Sequence, residues 1–197
     1  MANDIWQHIN FKRATREHRE NAALWMLDHL GALPLLMSAL YAGLDESGIK
    51  ADSDSSDQAL STKAAYILEM MAIKNLDAVA DQLPELACHL PKFKSDSIQR
   101  ALLHIMNLWL SKPKTISELD ENVIECLTEH CFDKLITKPE AAVAVQAHAM
   151  SCLLHLSHNN PWIKEPLADI LIKNMTHQSP GYRARARYIL KDLNRGQ

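Results

Sequence analysis

Ten histidines and four cysteines in 197 residues make metal binding and thiol chemistry the first possibilities to weigh. His148, Cys152 and His155 recur at i, i+4 and i+7, which on a helix of 3.6 residues per turn places them within about 60° of one another. Imidazole and thiolate at that spacing are zinc-ligand chemistry, but tetrahedral zinc takes about four such donors. No Cys-x-x-Cys pair or His-Glu-x-x-His run supplies the others. Cys152 lies in an apolar stripe and reads as a small core residue between two boundary histidines, so no metal is expected. Cys126 and His130 are one helical turn apart, with Cys131 adjacent. A nucleophilic pair there would need a depressed thiol pKa and an oxyanion hole; a core placement is the simpler reading. Glu118, Asp120 and Glu121 gather at a helix start, where negative charge favours the dipole. No catalytic residue and no cofactor is assigned.

Arg183, Arg187 and Lys191 recur every four residues and form one ridge of the last helix. Guanidinium forks hold carboxylates and phosphates well, so this ridge is the candidate binding edge. Arg185 faces another side, near Asp192. A second basic group, Lys12, Arg13, Arg16 and Arg19, is interleaved with Glu17 and Glu20. The four tryptophans, Trp6, Trp25, Trp109 and Trp162, are read as packing residues. Trp109 is core by its spacing, and Trp162 staples neighbouring helices.

Composition narrows the function classes. Only five glycines occur, and none between Gly48 and Gly181. Across that span a phosphate-binding G-x-x-x-x-G-K-[ST] loop, a G-x-G-x-x-G dinucleotide turn and a G-x-S-x-G nucleophile elbow are all excluded. Tight β-hairpins, which usually need glycine for positive φ, are disfavoured as well. A net charge of −3 gives no long-range basic field toward nucleic acid or anionic lipid. No apolar run approaches the roughly 20 residues that cross a bilayer, and residues 1–19 lack the apolar core of a secretory signal. Reduced thiols and a cytoplasmic location follow as the expectation.

The elements that position these residues are helical. Ile98, Leu102, Ile105, Met106 and Trp109 form one apolar stripe; Val145, Ala149, Cys152, Leu153 and Leu156 form a second; Tyr182, Ala186, Ile189, Leu190 and Leu193 form a third. Helices are predicted near 59–73, 76–90, 96–111, 118–136, 140–157, 161–176 and 180–194, with an apolar helix from about Pro34 to Tyr41. Pro84 and Pro166 should kink or divide theirs. Asn160-Pro161 and Ser179-Pro180 pair a capping side chain with proline at the first helical position. Thr137 to Glu140 has capping-box spacing, Ser117 to Asp120 is a weaker version, and Asn75 should cap the helix after it. Between about 44 and 58 the chain is acidic and serine-rich and is expected to be a mobile loop within one domain spanning 1–197. Its aspartates lack the glycine turn and closing glutamate of a calcium loop.

Ile67-Leu68 with Met71, Ile105-Met106 with Trp109, Cys152-Leu153 with Leu156, and Ile189-Leu190 with Leu193 repeat at intervals of about 40 residues. A second helix lies between each matched pair. Alanines 64, 101, 149 and 186 accompany the stripe. Over residues 59–194 the chain resembles the HEAT-like, armadillo-type α-solenoids. The segments 63–69 and 96–100 and the ending 181–187 look like a small bacterial HEAT-like family of this length, most of whose members have no assigned activity. Some carry an adenylosuccinate-lyase label; that enzyme family is longer, tetrameric and marked by a serine- and glycine-rich loop, and no such loop stands here. The resemblance implies an all-α, short right-handed α-α superhelix of helix pairs. It also implies a non-enzymatic scaffold that binds a protein or peptide. The alternative it implies is a nucleic-acid-binding protein related in fold to alkylation-repair glycosylases, against which the acidic total argues.

Overall fold

The computed structural model describes residues 8, 11, 15–44, 56–112, 114–136 and 142–196. All regular structure among them is helical: α1 (Arg16–Asp28), α2 (Leu33–Tyr41), α3 (Ser56–Lys74), α4 (Leu83–His89), α5 (Asp96–Leu110), α6 (Thr115–Glu118), α7 (Glu121–Ile136), α8 (Val143–Leu156), α9 (Lys164–Asn174) and α10 (Pro180–Leu193), joined in places by 3₁₀ turns. The all-α expectation holds. No single helix among the described residues is long and apolar enough to cross a membrane. Lys12, Arg13, Trp6, the Thr137–Glu140 box and residues 45–55 of the acidic stretch lie outside the described residues. α3 begins at Ser56, three residues before the expected start.

Two compact units are present, one formed by Met1–Leu83 with Lys92–Ile105 and the other by Pro84–Pro91 with Met106–Gln197. In the first, α1 and α2 both pack on α3. They close over Ala22, Ala23, Met26, Leu36, Leu40, Ala64, Ala65, Ile67, Leu68 and Met71, all buried. The alanines of α1 and α3 let the backbones approach, and Ser61 donates its hydroxyl to the Leu40 carbonyl at 2.6 Å. In the second unit α8 lies against α7 and α10, and α9 touches all three. Leu127, Cys131, Val145, Ala149, Cys152, Leu153, Leu156, Leu167, Leu171, Tyr182, Ala186 and Ile189 form its core. The Asn174 amide donates to the Leu135 carbonyl (3.0 Å) and to the Tyr182 hydroxyl (3.2 Å), tying α9 to α7 and α10.

The apolar stripes are buried as their spacing requires, with one exception, Leu190, which is half-buried. Prolines set the breaks. Pro84 has no N–H for the carbonyl of Ala80, so the expected helix over 76–90 becomes two 3₁₀ turns, Leu76–Ala78 and Ala80–Gln82, followed by α4. Pro166 likewise cannot reach Trp162, and residues Pro161–Ile163 are a 3₁₀ turn before α9. The expected helix over 118–136 is also divided. Leu119 is extended, and Asp120 caps α7 by accepting the Asn122 N–H at 2.8 Å. Ser179 caps α10 through the Tyr182 N–H, with Pro180 at its first position. Two expected caps are absent: Asn75 makes no capping bond, and the Asn160 amide instead turns back to the Leu156 carbonyl at 3.2 Å.

Candidate functional site

The helical cap at Asp120 fixes where α7 starts, and therefore which residues share its outer ridge. Glu121, Glu125 and Glu129 follow at steps of four, so their side chains line up on one exposed face. With Ile124, Thr128 and Phe132 of the same helix, and with Asn160 and Trp162, they line an open cleft of about 480 Å³ within the second unit. Trp162 is placed by the 3₁₀ turn that Pro161 opens, and it is 63% exposed. Its ring lies 6.5 Å from that of Phe132, at 32°. The sequence reading of Trp162 as a staple between helices is therefore corrected: one aromatic wall of the cleft faces solvent. Thr128, only 4% exposed, has a buried hydroxyl oxygen with no hydrogen-bond partner among the described residues. No described residue forms an ion pair with any of the three glutamates. The cleft is thus an anionic rim over an aromatic floor, suited to a cation.

The first unit holds the strongest internal electrostatic device. Glu69 of α3, 4% exposed, accepts a two-pronged bond from the Arg100 guanidinium of α5 at 2.7 and 2.8 Å. His104, one turn further along α5, lies 2.8 Å from the same carboxylate. Burial alone would raise the Glu69 pKa, but the His104 and Arg100 hydrogen bonds and the Arg100 charge outweigh it and hold it at about 2. Arg100 also stacks over the Tyr66 ring, and Arg19 of α1 stands over the same ring, at 5.5 and 5.2 Å from its centroid. The carboxylate's acceptors are spent on fixed partners, so this network locks α3 to α5 and leaves no free base.

The ridge of Arg183, Arg187 and Lys191 is carried by α10, with Arg183 half-buried and the other two exposed. Among the described residues none of the three makes an ion pair. Arg185 does not reach Asp192. Its guanidinium bonds the Ser151 hydroxyl of α8, from Nε at 3.1 Å and from a terminal nitrogen, and stacks on Tyr188, while Asp192 pairs with Arg195 at 3.6 Å. In the other basic group Arg16 is taken up by Glu20 at 2.8 Å.

The thiols lie beside one another, Cys126 with Cys88 and Cys152 with Cys131. Cys126 meets Cys88, and its thiol is pushed up to about 11 by burial and by that contact. Asn122, one turn before it, places its amide 3.6 Å from the Cys88 sulfur. His130 is buried at 3% exposure. A raised thiol pKa is the opposite of what a nucleophile needs. Cys152 is fully buried against Cys131, and that hydrogen bond and its burial both raise its pKa. Burial keeps the nearby His155 toward its neutral form. His148, Cys152 and His155 do not converge: no group of three His, Cys, Asp or Glu side chains among the described residues is arranged to hold a metal.

Comparisons with protein families, with curated proteins and with solved structures find no match. The sequence reading named Glu121, Asn160 and Trp162 in other roles and missed the cleft they share, because a glutamate every fourth position is what any solvated helix face shows. Only the neighbouring Trp162 distinguishes this one, and its exposure depends on how Pro161 and Pro166 break the backbone.

Proposed function

We propose that the protein is a non-enzymatic binding module that takes a protein or peptide partner at the cleft between α7 and the Pro161–Ile163 turn. The observation that carries this is the exposed Trp162 above Phe132, rimmed by three glutamates. A large aromatic left in water beside unpaired charge is what binding hot spots look like, and tryptophan is enriched at them. The described residues that line the cleft include no histidine, cysteine or lysine.

The HEAT-like reading belongs to the same proposal, including the short right-handed superhelix that the resemblance implies. What supports it is the contact pattern inside the second unit, where helices two apart in the chain touch: α7 with α9, and α8 with α10. Stacked helix pairs make such contacts, because each repeat rests on its neighbour. A cytoplasmic location is part of the proposal too, supported by the four cysteines being thiols. Nucleic acid is disfavoured as the occupant of this cleft, since its rim would repel phosphate.

The test is capture of partners from native cell extract on immobilised protein, with two variants run beside the wild type. Trp162→Ala should lose the captured partners, while the triple change Arg183→Glu, Arg187→Glu, Lys191→Glu should keep them. Partners unchanged by Trp162→Ala would move the binding face away from the cleft; partners lost only in the triple variant would place it on the α10 ridge.

A further inference from the structure

Resting on that binding reading, we infer that the cleft recognises an arginine side chain presented by an extended segment of a partner polypeptide. The cleft combines two kinds of group that a guanidinium uses together and that other ligands use singly. Trp162 offers an open indole face, the best of the aromatic partners for a cation, and arginine is the side chain most often found there. Glu121, Glu125 and Glu129 offer carboxylates along one side, which accept the paired N–H groups of the guanidinium fork. Thr128, whose hydroxyl is buried and without a partner among the described residues, lines the same wall and supplies a further acceptor.

The balance of groups selects among cations. A quaternary ammonium has no N–H to donate and is held by several aromatic faces at once; this site has two rings and three carboxylates. A lysine ammonium donates but cannot stack as a plane. Arginine uses both walls. The volume of about 480 Å³ falls within the roughly 300–1,000 Å³ of ordinary ligand sites and leaves room for the flanking backbone. Asn160 also lines the cleft, and its amide oxygen, the end not turned to the Leu156 carbonyl, can accept from that backbone.

The experiment uses the full chain and blocked serine pentapeptides with one central arginine, lysine or citrulline, the last being the neutral isostere of arginine. Binding is read from the indole N–H resonance of Trp162 in two-dimensional nitrogen–proton spectra, assigned through Trp162→Phe. The arginine peptide should shift it saturably, the lysine peptide should bind several-fold more weakly, and citrulline should not saturate. Glu125→Gln with Glu129→Gln, which keeps the shape of both side chains, should weaken arginine binding about tenfold. Citrulline matching arginine, or no saturable shift with any peptide, overturns the inference, as does a short DNA duplex producing the shift in its place. If partner capture still depends on Trp162 while citrulline matches arginine, the binding module stands and only the arginine assignment falls. If capture ignores Trp162 and no peptide binds, both fall.

Discussion

Replacing Glu69 by glutamine tests whether the carboxylate between α3 and α5 does what its geometry implies. The side chain keeps its shape but loses its charge, so the Arg100 guanidinium faces a neutral amide whose NH₂ it repels. The drop of the Glu69 pKa from 4.5 to about 2 corresponds to about 3 kcal/mol of preference for the charged form in the folded protein. Arg100 and His104 are partly exposed, 30% and 26% at the side chain, so solvent screens part of that. A loss of about 2 kcal/mol at pH 7 is expected, seen as a lower urea midpoint by circular dichroism and a fall in Tm of about 4–8 °C for a chain of this size. The sign of the pH dependence follows from the lowered pKa. The stabilisation is fully present above about 4.5 and disappears as pH falls toward about 2, because the unfolded chain takes up the proton first. The gap between wild type and Glu69→Gln should therefore close across that window. A loss below about 0.5 kcal/mol at pH 7, or a gap that is the same at pH 2.5 and pH 7, would show that the network is not an energetic link.

Three other outcomes follow from packing and burial. Leu153→Ala, at a position of α8 with no exposed surface, should cost about 2–4 kcal/mol in urea unfolding. Asp120→Ala removes the acceptor for the Asn122 N–H and should cost about 1 kcal/mol. The same variant should loosen the first turn of α7 in amide hydrogen exchange, since Asp120 sets where that helix starts. Cys126, with its thiol near 11, should react with iodoacetamide at pH 8 about 100-fold more slowly than a free cysteine, as read by mass spectrometry; Cys152 should react only after unfolding.

The helical class of this protein and most of its core are written in the sequence. Stripes such as Val145 to Leu156 bury the same side chains in any packing of amphipathic helices, and the cap and proline at Ser179-Pro180 act within one turn of their own backbone. Local signals became unreliable where two of them competed. Asn75 and Asn160 have good capping side chains, yet each precedes a 3₁₀ turn instead of an α-helix and makes no capping bond there. Tertiary structure decided what no spacing could convey. Glu69 finds Arg100 from 31 residues away, Cys126 meets Cys88 of another helix, and Trp162 stays in water while Tyr182, drawn from the same kind of sequence, is fully covered. Burial of an apolar stripe depends on the chain's own periodicity, but the chemistry of a surface depends on which distant side chains arrive beside it.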